Sequence, residues 1–182
     1  MEFGIITEGQ LNLIKEIRKF WEQQVMWMRF YIQSAVRDDP DMPAVLNRLF
    51  INSRDFYYLL IVFFGRSAAE RFASFITAHM SRIVSLIDAL KSNDQETVNR
   101  LTVELNENAS DWAAFLGQMN PYWEETQWRQ LLQSFVGQTI NEVVAIMSGD
   151  YEEGIRIFDN IENVAYEIAD YLAKGIIFSF VP

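Results

Sequence analysis

The 182-residue sequence contains no cysteine. Disulfides, thiolate metal sites and cysteine nucleophiles are therefore excluded. It contains one histidine, His79, so a triad with a histidine base has a single candidate. A three-histidine zinc site cannot be built within one chain. The eight glycines are scattered, and none falls in a G-x-G-x-x-G or Walker A spacing, which removes the common nucleotide-binding fingerprints. Long hydrophobic runs are also missing. The longest, Phe56 to Gly65, spans about ten residues, against roughly 20 for a membrane-spanning helix. The opening ten residues show neither the basic stretch nor the apolar run of a secretory signal. The expectation is a soluble, cytoplasmic protein.

Basic residues are scarce in the second half. Residues 1–100 carry 12 basic and 12 acidic side chains, whereas residues 101–182 carry 3 and 13, so the formal net charge of −10 sits in the C-terminal portion. Phosphate backbones and anionic membrane surfaces are repelled by such a surface, so no nucleic-acid or membrane partner is expected. A basic partner or weakly held divalent cations stay open, beside the plainer reading of a solvated face that maintains solubility.

Apolar residues, by contrast, are plentiful. Half the chain is hydrophobic, with 14 Phe, 7 Tyr and 5 Trp, enough for one sizeable core and one domain over residues 1–182. The dominant period is helical. A first helix runs from Thr7 to Val36, opened by Thr7 and Gln10 in capping-box spacing and ended before Asp39-Pro40. Asp41 to Gly65 reads as irregular and aromatic all round, with a short helix after Pro43, a break at Asn52-Ser53, and a second short helix that Gly65 stops. Four longer helices follow, separated at Ser92-Asn93-Asp94, Asn120 to Trp123, and Ser148-Gly149-Asp150. Short connections between long helices imply antiparallel neighbours. The predicted fold is all-α: an up-and-down helical bundle of about five long helices, ferritin-like in general appearance. A shift of 56 residues aligns the two later hairpins, placing Phe72 on Trp128, Asp94 on Asp150 and Leu116 on Leu172. True duplication and the chance likeness of two amphipathic hairpins both account for this alignment.

Polar residues on apolar stripes mark a candidate site. Gln24 lies on the stripe of the first helix with Trp21, and His79 lies on that of the helix opened at Ser67. The 56-residue shift sets Phe135 in the place equivalent to His79. If the helices face each other, Gln24 and His79 bond directly, and the pair is either a satisfied polar contact in the core or part of a pocket lined by Gln24, His79, Phe135 and Trp21. A ferritin-type di-iron centre needs Glu-x-x-His twice, and this chain has none. No catalytic residue and no metal ligand is assigned. Trp27 lies off the core stripe, where the Asp41–Gly65 segment or a second subunit could cover it. Ile176, Ile177, Phe178, Phe180 and Val181 form an apolar tail that should dock.

Four stretches resemble a family of small, all-helical bacterial proteins of unassigned function. They are Phe20 to Arg29 (FWEQQVMWMR), Asn120 to Trp128 (NPYWEETQW), Gly149 to Glu162 (GDYEEGIRIFDNIE) and Ala169 to Ile177 (ADYLAKGII). The resemblance implies histidine at the places of Gln24, His79 and Phe135, a mid-bundle polar or metal-like constellation on three helices. This chain keeps only His79, which weakens any metal or haem function the resemblance implies. Two functions are expected from these readings. One is a non-catalytic binding or interaction protein that self-associates as a homo-oligomer such as a dimer. The other is a bundle holding a small molecule, metal or cofactor around Gln24 and His79.

Overall fold

The computed structural model describes residues 6–180. Among these residues there is no strand, and five helices follow in order: α1 (Glu8–Arg37), α2 (Met42–Lys91), α3 (Gln95–Met119), α4 (Glu125–Met147) and α5 (Tyr151–Phe180). The all-α bundle expected from periodicity is what the chain forms. The capping box at the start of α1 is present as well. Thr7 Oγ1 accepts from the Gln10 amide and the Gln10 side chain accepts from the Thr7 amide, which satisfies two of the amides a helix start leaves unpaired.

The irregular Asp41–Gly65 segment is a correction. No break occurs at Asn52-Ser53; the segment is one continuous helix, the first arm of α2 (42–64). Asn52 is tolerated because it is buried and its side-chain oxygen accepts from Arg48 at 2.6 Å. The expected stop at Gly65 does occur. Gly65 has φ +77° and ψ 174°, a combination essentially reserved for glycine. There α2 folds back on itself. A straight helix would separate Phe56 from Phe72 by about 24 Å at 1.5 Å per residue, yet their ring centroids are 5.6 Å apart. Both ends of α2 meet the end of α1: Asp41 accepts from Ser34 Oγ at 2.9 Å, and Lys91 donates to the Ala35 carbonyl at 2.7 Å.

The bundle is thus a run of antiparallel segments, with the second arm of α2 (66–91) packed on α3, α3 on α4, α4 on α5, and α5 back on α1. Arg18 to Asp170 and Arg29 to the Gly154 carbonyl tie α1 to α5 at two heights. The two later hairpins turn alike. Asn93 (φ 57°) and Gly149 (φ 77°) occupy equivalent left-handed positions. Asp94 N bonds to Ala89 O at 2.9 Å and Asp150 N to Ala145 O at 3.0 Å. Each Asp then caps the next helix through the amide three residues on. This is the helix-ending pattern that satisfies late carbonyls, used twice at a 56-residue offset.

The N-P-Y-W stretch forms the connection between α3 and α4. Asn120 Nδ2 donates to the Gly175 carbonyl at 3.1 Å, and Trp123 Nε1 donates to the Tyr171 carbonyl at 3.0 Å. A Cβ at Gly175 would sit 1.8 Å from Trp123 Nε1, so glycine there lets the indole lie on the α5 backbone. The apolar tail docks at the same end: the Phe180 ring contacts Phe63 and Phe64. Val181 lies outside the described residues.

Candidate functional site

Three of the four sequence-predicted site residues meet through one ring. Phe135 on α4 touches His79 on the second arm of α2 (centroids 5.4 Å) and Trp21 on α1 (5.8 Å). Trp21 stacks on Trp112 of α3 at 6.0 Å and packs edge-on against Phe56. Gln24 is buried three residues beyond Trp21 on the same stripe of α1. All four residues are enclosed, none more than 3% exposed.

The expected Gln24–His79 hydrogen bond is not formed. Both side-chain polar atoms of Gln24, His79 Nε2, Trp21 Nε1 and Trp112 Nε1 are buried without a hydrogen-bond partner. Trp128 Nε1, Asn52 Nδ2 and Arg82 Nε share that condition. Because a native core leaves few such groups unpaired, the concentration of them around Trp21 and Phe135 distinguishes this level of the bundle. Enclosure also lowers the His79 pKa to about 4, chiefly because burial disfavours the charged ring, with Arg82 adding repulsion. The imidazole is therefore neutral near pH 7. Among the described residues, no group of three or more His, Asp or Glu gathers so as to hold a metal ion.

Sequence reasoning missed a second polar feature. Glu142 on α4 is buried and paired with Arg29 on α1. The Arg29 guanidinium also donates to the Gly154 carbonyl at 3.0 Å and lies over the Phe158 ring at 4.7 Å. Burial pushes the Glu142 carboxyl up to about 7, while Arg29 pulls it back. A signal was available: Glu142 lies seven residues after Phe135, on the same buried stripe through Thr139, and a carboxylate there requires a partner.

The surface of the described residues includes the following hollows. One, about 300 Å³, lies where α1 meets the start of α2, between Trp27, Phe30, Arg37, Asp41 and Val45. Another, about 350 Å³, is a shallow face of α3 from Thr102 to Asp111. Neither includes a residue of the mid-bundle group. Trp27 is half-covered by Phe30 and by the Arg48 guanidinium, 5.0 Å above its ring.

Among the described residues, no helix is long and apolar enough to cross a membrane. No protein-family model, curated protein or solved structure matches the chain.

Proposed function

We propose that this chain is a non-catalytic interaction protein that works by self-association. The observation that carries this reading is the first arm of α2. It is the most continuously apolar stretch of the chain, yet it buries a single narrow stripe and leaves Ile51, Tyr58 and Val62 outside. A surface helix that is apolar on several sides asks for a further covering. Light scattering on the eluting full-length protein over a concentration series tests the reading. A mass of two or more chains is expected, and a monomer at every concentration overturns it.

A second reading rests on a separate observation, the unpartnered atoms around Trp21, Gln24, His79 and Phe135. Two indole N–H groups, a primary amide and a neutral imidazole suit a small molecule bearing hydrogen-bond acceptors, held between facing helices at mid-height as in ferritin-like bundles. A native mass spectrum of the purified protein tests it. An added mass that His79→Ala removes is the expected outcome, and a bare chain in both spectra overturns it.

A further inference from the structure

The two arms of α2 are joined by a single residue. Gly65 is the one non-helical position between Met42 and Lys91. The other connections between helices take three to five residues, and side chains fasten them. Asp94 and Asp150 cap the helices that follow. Asn120 donates to the Gly175 carbonyl at 3.1 Å, and Asp41 accepts from Ser34 at 2.9 Å. The reversal at Gly65 is open by comparison. Nothing lies within 4 Å of the place its Cβ would take, and Arg66 and Ser67 beside it are exposed.

Two conformations of that residue keep both arms helical. The observed one, φ +77° and ψ 174°, folds the arms together. Helical angles at the same residue would run them on as one straight helix of 50 residues. Glycine reaches the first without a Cβ penalty and is a poor residue for the second. The contacts that join residues 6–64 to residues 66–180 are on offer again in a second copy. They include Arg18 to Asp170 at 2.6 Å, Phe56 to Phe72 at 5.6 Å, Phe64 to Phe180 at 5.1 Å and Trp21 to Phe135 at 5.8 Å. A short hinge between two strong helices is the arrangement that invites such an exchange.

We infer that two copies exchange residues 6–64 through Gly65, with α2 straightened in each. The inference rests on the self-association reading and gives it a route. The exchange is reciprocal, so it closes at two chains and preserves the contacts of the single bundle. It also divides the mid-bundle group between them. Trp21 and Gln24 come from one chain, and His79, Trp112 and Phe135 from the other.

The test uses the full chain carrying Arg18→Cys and Asp170→Cys. These positions face each other across the exchange, and the chain has no cysteine of its own. Both side chains are half-exposed, so losing their ion pair costs the fold little. The protein is refolded from urea over a range of concentrations and treated with a short bismaleimide. In a folded-back chain the link stays within one chain. In an exchanged pair it joins two, which a denaturing gel separates. Paired links are expected at high concentration. Adding Gly65→Ala should lower the concentration at which half the chains are paired by roughly a hundredfold, about tenfold for each hinge relieved. Inserting Gly-Ser-Gly-Ser after Gly65 frees the reversal and should leave the links within single chains. Its far-ultraviolet circular dichroism spectrum should match the parent's. A parent linked only within single chains overturns the exchange, whatever Gly65→Ala does. In that sample a dimer by light scattering leaves self-association standing, and a monomer overturns both. Paired links that ignore both hinge changes belong to a surface contact and overturn the exchange as well.

Discussion

The two arms of α2 are close in length and differ in what they hide. The first arm buries Val45, Leu49, Asn52, Phe56 and Leu60, one residue per turn. The second buries Ala69, Phe72, Phe75, Ile76, His79, Met80, Ile83, Leu86, Ile87 and Ala89, two residues on many turns, and turns Glu70, Arg71, Ser74, Ser81, Ser85 and Asp88 outward. The more apolar arm is the less buried one. Position explains the reversal. The second arm faces α3 through Phe72 and Phe75 against Trp112, inside the ring of helices. The first arm rests on α1 and on its own second arm, through Phe56 against Trp21 and Phe72. Burial in a bundle follows the number of neighbours a helix has, and a helix with few neighbours keeps its surplus apolar surface for something else.

The strongest contrast comes from truncation. Phe72→Ala, in the well-covered arm, should lower the unfolding free energy by about 3–5 kcal/mol, the usual range for a large ring removed from a closed core. Urea denaturation followed by circular dichroism measures it. A loss under about 1 kcal/mol would mean that the second arm is no better packed than the first.

Acid should then discriminate the second arm from α4. His79 titrates below its ordinary value, so its contribution is full above about pH 6.5 and disappears as pH falls towards 4. Glu142 titrates above its ordinary value, so its contribution is full below about pH 4.5 and disappears as pH rises towards 7. The two slopes oppose one another across the shared window, each changing stability by about 1.4 kcal/mol for every pH unit crossed. His79→Gln should leave stability that rises as pH falls from 7 to 4.5. Glu142→Gln should leave stability that falls between pH 6.5 and 4. The measurement is the urea midpoint at a series of pH values, and parallel profiles for the two variants would remove the assignment.

Between the arms stands Gly65. Any other residue must adopt φ near +77° with ψ near 174°, so Gly65→Ala should cost about 1–3 kcal/mol, with nothing within 4 Å of its Cβ to add a clash. A loss similar to that of alanine at an ordinary loop glycine would mean that the reversal can move elsewhere along α2.

How much of this was legible in the sequence depends on the kind of signal. Helix ends were, because Thr7-Gln10, Gly65, Asp94 and Asp150 act through local hydrogen bonds and backbone angles that residue type dictates. The continuity of the first arm was not. Asn52-Ser53 reads as a break because both residues compete locally with the helix, whereas the Arg48 bond to Asn52 and the burial of Phe56 override that preference. At the candidate site, periodicity put Trp21, Gln24 and His79 on apolar stripes, and the 56-residue shift added Phe135 opposite His79. Neither signal could show that Gln24 and His79 do not bond, since that depends on side-chain packing between helices rather than on spacing along one. Arg29 and Glu142 were missed because a charged pair on two helices 113 residues apart leaves no local pattern beyond a carboxylate on an apolar stripe.

The smallest expected effect sharpens the comparison most. Val62→Ser removes a side chain that is 75% exposed, so in a dilute, dissociated sample it should change the unfolding free energy by no more than about 0.5 kcal/mol. In a concentrated sample the same substitution should lower the melting temperature, because a partner that binds only the folded chain adds stability that grows with its own concentration. A thermal melt recorded at both extremes separates the two effects. If Val62→Ser is silent at both, the outer side of the first arm is simply tolerated apolar surface. If it is destabilising at both by the same amount, Val62 is covered within its own chain. Only a loss that grows with concentration ties the apolar surplus of the first arm to a second copy, and it does so with a side chain whose removal leaves the fold undisturbed.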